Sequence, residues 1–313
     1  DFSVIVVNWN TRDLLRECLA SVVAQVGEVA LELLVVDNAS TDGSAQMVPQ
    51  EFPQARLWEN AENRGFAAAN NQAIAQARGR YLFLLNSDAA LRPGALRALA
   101  GFLDAHPEAA VAGPLVLNPD GTVQASCFRF PTAWDVFCEM SFLTALFPRS
   151  PFFNRRGMGG FDRRTVREVD WVLGAAMAVR REWAERVGGL DEGYFMYVEE
   201  MDWCRRIREA GGRVFFFPRA EVVHHGGVSR ARAKAAILPR AFASRFRYYE
   251  RFHGRGYARL VRALTLAGLL PRMAVAGLLG YLGRDPDWRE AFRAYAGVWK
   301  VAWQGRWTPP ERR

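Results

Sequence analysis

The stretch YLFLLNSDAAL, residues 81–91, drives five apolar or aromatic residues straight into Asn86, Ser87 and Asp88. A strand with no polar alternation is buried on both faces, as in a parallel sheet covered by helices. Its polar end has two readings. One is a solvent-facing turn. The other is a metal and phosphate site at the carboxyl end of a parallel strand, where open α/β sheets bind their ligands.

The flanking sequence repeats the pattern. FSVIVVN (2–8) leads into TRDLLRECLASVVAQ (11–25), whose apolar residues have helical spacing. LELLVV (31–36) stops at Asp37, and STDGSAQMV (40–48) opens a helix with a Ser/Thr/Asp start. RLWE (56–59) is a third strand, GFAAANNQAIAQA (65–77) a helix, and PGALRALAGFLDAHP (93–107) a helix with proline near its start. Strands alternating with helices predict an α/β fold with a mostly parallel sheet. Beyond residue 110 the spacing predicts a hairpin around Asn118–Gly121, an irregular Gly- and Arg-rich segment (147–165) and a strand over 171–179. A helix over 199–212 ended by glycines follows, then closing strands RVFFFP and EVVHHGG, with helices from about 230 onward.

Half of the 313 residues are hydrophobic, enough for one large domain plus an extension, or for two domains. Cys18, Cys127, Cys138 and Cys204 show no CxxC spacing and read as buried reduced thiols of a cytosolic protein. No signal peptide is read ahead of the first strand. Residues 226–313 carry 18 Lys and Arg against 5 Asp and Glu, a net of +13, whereas the remainder carries −5. A basic tail on an acidic body points to an anionic partner, nucleic acid or a membrane surface. No RNA- or DNA-binding motif is present, so no nucleic acid partner is expected.

Three strands end in polar groups: Asn8-Trp9-Asn10, Asp37-Asn38 and Asn86-Ser87-Asp88. A helix N-cap accounts for any one of them; three together favour a site. No GxGxxG follows a strand, GMGGFD (157–162) has the wrong spacing, and no GxxxxGK[ST] occurs, which disfavours dinucleotide and P-loop enzymes. Ser87 has no GxSxG context, which disfavours a hydrolase triad. What remains is Asp88, the carboxylates Glu199, Glu200 and Asp202, and the pair His224-His225. A divalent cation on a diphosphate needs hard oxygen ligands, sometimes with an imidazole. A departing diphosphate needs its charge neutralised, and an incoming hydroxyl needs a base. The set fits sugar transfer from a nucleotide-sugar.

The sequence also resembles the family 2 glycosyltransferases, in particular their bacterial rhamnosyltransferase-like branch, over roughly residues 3–230. The resemblance is carried by VIVVNWNT, VVDNASTDGS, NRGFAAANNQ, LLNSDA, VDWVLGAAMAVRR, GGLDEGYFMYVEEMDWCRRIREAGGRVFFFP and VVHHGGVS. It implies a GT-A fold: a Rossmann-like mixed sheet with helices on both faces, at 1–229, with a basic amphipathic helical extension at 230–313. It also implies an inverting mechanism and a divalent cation, Mn2+ or Mg2+. Asp37 matches the carboxylate that accepts from the pyrimidine ring, with a second reading as the cap of its turn. Asn8 and Asn10 would line the same pocket, with Trp9 as a flat wall or as core. Asn63, Gly65 and Asn70 match the element near the ribose and diphosphate, although Gln72 stands where glycine is common. Asn86-Ser87-Asp88 occupies the place of the DxD motif, with the amide of Asn86 in a carboxylate's position. Asp88 would ligate the cation with His224, and His225 competes for that role.

Glu200 matches the acidic residue that acts as general base, where most relatives have aspartate; Glu199 and Asp202 are its rivals. At a helix start all three also favour the helix dipole. Trp171, Gly174 and Ala175 match the strand on the acceptor side. Arg155, Arg156, Arg163 and Arg164 would receive an acceptor diphosphate or form a solvated loop. The implied reaction moves L-rhamnose from dTDP-L-rhamnose to a polyprenyl-diphosphate-linked or other cell-envelope glycan at the inner face of the plasma membrane. UDP-hexose or UDP-GlcNAc transfer, and a nucleotide-sugar-binding scaffold without turnover, are the alternatives. In the tail, LTLAGLLPRMAVAGLLGYL (264–282) is broken by Pro271-Arg272 and is read as lying in an anionic membrane surface or packing in a homodimer, not crossing. Residues 286–307 set Trp288, Phe292, Tyr295, Trp299 and Trp303 on one helical stripe.

Overall fold

A computed structural model describes residues 1–226, 234–282 and 286–305. The expected boundary at 229/230, residues 227–229 of HHGGVS, and Arg306 and Trp307 lie outside them. The described residues form two compact units: 1–130 with 162–195 and 199–226, and 131–161 with 196–198 and the helices from 234 onward.

The first unit is built on β1 (Phe2–Asn8), α1 (Arg12–Val23), β2 (Leu31–Asp37), α2 (Ser44–Glu51), β3 (Ala55–Glu59), α3 (Phe66–Ile74), β4 (Tyr81–Asn86), β5 (Ala89–Leu91), α4 (Ala95–Ala105), β6 (Ala109–Leu117), β7 (Val123–Gln124) and β8 (Cys127–Phe128). The second unit contributes α5 (Ala133–Met140) and α6 (Leu143–Leu146). The first resumes with β9 (Arg167–Val169), β10 (Trp171–Val172), β11 (Ala176–Arg180), α7 (Arg181–Val187), α8 (Glu199–Glu209) and β12 (Arg213–His224). Its main sheet runs β3-β2-β1-β4-β11-β6-β12-β5, with β7 on β6 and β9 on β12.

β3, β2, β1 and β4 are parallel; β11 is antiparallel to both β4 and β6. The sheet is therefore mixed. The strand pleat sends Phe2, Val4 and Val6 to a core with Leu15, Leu19, Met47, Leu96 and Leu99. Alternate residues Ile5, Leu34 and Leu84 are equally buried. They face the opposite side, where α3 meets β1 and β2. Burial on both sides is why these strands lack polar alternation.

Two expectations change in detail. Residues 171–179 are two strands, because β10 pairs with β8 and the chain turns at Leu173–Ala175 before β11 joins the main sheet. The two expected closing strands are one, β12, whose register on β6 shifts between Phe217 and Glu221, where Pro218 has no N–H to give. The hairpin at Asn118–Gly121 forms between β6 and β7.

In the second unit, Thr132 and Asp135 make a reciprocal capping box at the start of α5. The unit also holds α9 (Lys234–Leu282), interrupted at Gly254 (φ 82°, ψ 169°), and α10 (Pro286–Gln304). α10 turns Ala294, Val298 and Ala302 inward and leaves Trp288, Phe292 and Trp303 exposed. Arg272 donates to the main-chain oxygens of Glu139, Met140 and Gly268, so the charge in the apolar stretch is satisfied within the protein. Among the described residues one helix, Ile237–Leu282, is long and apolar enough to cross a membrane.

Candidate active site

Parallel register aligns the polar strand ends: Asn8 opposite Asp37, and Val7 opposite Asn86. Asn8 and Asp37 are buried. The Asn8 amide donates to Asp37 Oδ1 (2.8 Å) and Ser40 Oγ (3.0 Å), and Ser40 N donates to Asp37 Oδ2 (2.8 Å). Asp37 thus anchors its own turn, as the capping reading required, while facing Asn8. Asn10, at φ 54°, donates from N to Ser40 Oγ (2.9 Å) and accepts Thr41 N (2.7 Å). The Thr11 hydroxyl donates to Asn8 Oδ1 (2.7 Å) and lies 2.8 Å from Ser87 Oγ. A hydroxyl has one proton, so Ser87 donates to Thr11. Trp9 is 50% exposed and is not core.

Asn63 Oδ1 accepts Gly65 N (2.9 Å), and Gly65 O accepts the Asn38 amide (3.2 Å). Gly65 has φ 83° and ψ 173°, a region essentially confined to glycine. A Cβ there would also lie 2.5 Å from Phe195 O. Asn70 is buried and donates to Phe66 O one turn back.

Beyond β4, Asp88 Oδ1 lies 3.1 Å from His224 Nε2 at the end of β12. His225 points elsewhere: its ring is 3.6 Å from Glu17, and its N–H donates to Asp88 O (2.9 Å). His224 Nδ1 is 2.7 Å from Gln124 Oε1, and the Gln124 amide nitrogen donates to Asn118 Oδ1 (2.9 Å). The second bond fixes which end of the amide faces the ring. His224 therefore donates from Nδ1 and turns Nε2 toward Asp88 and the Asn86 amide (3.4 Å). An imidazole nitrogen beside a carboxylate, held from behind by an oxygen, is a fitting half-site for a divalent cation. Among the described residues no third His, Cys, Asp or Glu joins the pair. A diphosphate and water would complete such a shell.

Asn86 N donates to Ala175 O (2.9 Å). The neighbouring Gly174 has only hydrogen where Glu200 passes: a Cβ there would meet Glu200 Cβ, Cγ and Cδ at 3.3–3.5 Å. Glu199 and Glu200 are buried at the start of α8, directly after Tyr197 and Val198, both with positive φ (69° and 79°). Positive φ at a β-branched residue is strained backbone. Asp202 is fully buried, ion-paired to Arg206 Nε (2.7 Å), and accepts the Tyr194 hydroxyl (3.1 Å). Arg206 in turn holds the carbonyls of Val187 and Gly189, so this pair fastens a loop to the helix.

Of the four arginines named above, Arg155 and Arg156 fall in the helical unit and Arg163 and Arg164 in the sheet unit. Thr11 lies inside VIVVNWNT with no role of its own legible there, and Ser40, a helix-cap candidate by sequence, instead links Asn8, Asn10 and Asp37. Gln124, 100 residues from His224, gave no sequence signal. The four cysteines are buried and unpaired. Burial pushes the Cys204 thiol up to about 12 and Cys127 to about 11; Cys18, 3.5 Å from Asn86 O, is raised by burial and by the charge of Asp88.

The same fold occurs in solved sugar-transferring enzymes. The mannosyltransferase PcManGT from Pyrobaculum calidifontis, solved with GDP-Man and Mn2+, aligns with a TM-score of 0.54 at 22% identity, covering 96% of this chain and 85% of that one. TarS of S. aureus aligns at 0.51 and 15% identity, covering 99% and 93%. These are GT-A folds, and so is this one. The family described as glycosyl transferase family 2 matches residues 3–185, and the chain belongs to that family. An N-acetylglucosaminyl-diphospho-decaprenol L-rhamnosyltransferase of Mycobacterium tuberculosis is 31% identical over 278 residues, 85% of this chain and 89% of that one. The O-antigen biosynthesis protein RfbC of Myxococcus xanthus is 29% identical over 244 residues, 76% of this chain and 18% of that one.

Proposed function

We propose that this glycosyltransferase is inverting and cation-dependent, and that it moves L-rhamnose from dTDP-L-rhamnose to a sugar on a polyprenyl diphosphate. The observation that carries the mechanism is one continuous connection. His224 meets Asp88 and Asn86, Asn86 is tied through its N–H to Ala175, and the adjacent Gly174 lies against Glu200. A cation ligand and a base are thereby held at opposite ends of a single strand junction. Asp88 and His224 would hold the cation, whose charge offsets that of the departing diphosphate. Asp37, Asn8 and Asn10 form the floor of the nucleotide pocket, and Asn63 and Gly65 its diphosphate edge. Glu200 takes the proton of the acceptor hydroxyl as that oxygen attacks the anomeric carbon in line. Residues 1–229 would be the catalytic domain. The transferred sugar and the lipid-linked acceptor are supported by the named activity of the mycobacterial relative.

A donor screen with Mn2+ or Mg2+ tests the reading. Slow hydrolysis and tight binding are expected with dTDP-L-rhamnose. Preference for a UDP-hexose or UDP-GlcNAc would overturn the donor.

The helical extension, 230–313, is proposed to rest on the inner face of the plasma membrane. Leu270, Leu278, Tyr281 and Leu282 of α9 are 57–83% exposed, and Trp303 of α10 is 74% exposed. Exposed apolar and aromatic surface beside many basic residues suits an anionic interface. The full chain is expected to float with anionic liposomes at low salt and less at high salt. A chain that stays soluble with such vesicles at low salt has helices that only pack on protein.

A further inference from the structure

We propose that Arg156 and Arg245, in the helical unit, form an anion site for the diphosphate of a lipid-linked acceptor. This rests on the reading above and extends it to residues outside the sheet. Arg155 is neutralised by Asp135 (Nη2 to Oδ2, 2.5 Å), and Asp135 also accepts Arg156 N (3.0 Å) while capping α5. Arg245 pairs with Glu139 at 3.0 Å. Arg272 is spent on main-chain oxygens and on the face of Phe142, 3.8 Å away. The guanidinium of Arg156 makes no ion pair or hydrogen bond among the described residues. The neighbourhood thus holds four guanidiniums and two carboxylates.

Burial, and next the like charge of Arg245, lower the proton affinity of Arg156. The unpaired cation is therefore held at an electrostatic cost that a bound anion would relieve. The Arg245 and Glu139 side chains stay 22% and 34% exposed, so solvent reaches the edge of the cluster. Two planar forks suit a diphosphate, which accepts bidentate pairs from guanidinium. The same segment supplies a place for the lipid: Trp134, Phe137, Phe147 and Phe152 are 37–61% exposed, and Trp134 lies against Phe137 and Phe152.

The test is calorimetric titration of the full chain with farnesyl diphosphate, farnesyl monophosphate, farnesol and inorganic pyrophosphate. Wild type is expected to bind farnesyl diphosphate most tightly, with pyrophosphate competing. Arg156→Gln is expected to weaken farnesyl diphosphate by about 10- to 100-fold, the size of a lost charge-assisted contact, with Arg156→Lys restoring part of it. Thermal melting of both variants checks the fold. Equal affinity in wild type and Arg156→Gln overturns the site. So does farnesol binding as tightly as the diphosphate. Pyrophosphate binding that the farnesyl chain does not improve overturns the lipid assignment in favour of a free-anion site. Titration with dTDP-L-rhamnose reads the donor pocket separately, so failure there leaves the anion result standing.

Discussion

Asp88→Asn is expected to lower cation-dependent sugar transfer by about 10²- to 10³-fold, the loss typical when one charge-stabilising group is removed. The substitution keeps shape and one acceptor oxygen but removes the charge. Little else depends on that carboxylate. Asp88 follows β4 at a turn, and its main-chain oxygen, which accepts His225 N, is untouched by the change. Melting temperature should therefore hold while Mn2+ affinity, read by titration, falls with activity. His224→Ala should lower Mn2+ affinity as well, whereas His225→Ala, whose ring lies toward Glu17, should not. Full activity of Asp88→Asn in chelator-treated buffer would remove the assignment.

Glu200→Gln is expected to cost about 10²- to 10⁴-fold in turnover, the usual worth of a positioned base. Donor affinity should change little, because the side chain lies against Gly174, in the strand assigned to the acceptor side. The rivals separate by stability. Asp202→Asn breaks an ion pair with Arg206 whose carboxylate is fully buried and should cost about 3 kcal/mol, so inactivity there would come with a lowered melting temperature. Turnover near wild type for Glu200→Gln, with Glu199→Gln inactive, would move the base by one residue.

The strands were legible because burial on both faces leaves unbroken apolar runs such as YLFLL and FSVIVVN, and their polar ends were legible because register aligns them. Other features leave no such run. The turn at Leu173–Ala175 interrupts an apolar run, and only the partner strand β8 reveals it. The helix α5 carries a readable signal, the Thr132–Asp135 capping box, in a segment where no helix was expected. Gln124 bears on His224 through tertiary pairing, which no local pattern records. The choice between His224 and His225 was likewise beyond local pattern. His224 is the last residue of β12 and His225 the first beyond it, and which ring meets Asp88 depends on the pairing of β12 with β5.

The buried thiols give each half of the site a timer of its own. Cys18 sits against the main-chain oxygen of Asn86, while Cys204 lies on α8 one turn beyond Glu200. An alkylating reagent needs a solvated thiolate, and burial denies both conditions at each position. Each sulfur becomes reactive only when its own surroundings open. The labelling rate at Cys18 then counts openings around the end of β4, and that at Cys204 counts openings of α8. Unequal rates would mean that one half breathes without the other; equal rates would mean that the two open as one cooperative unit.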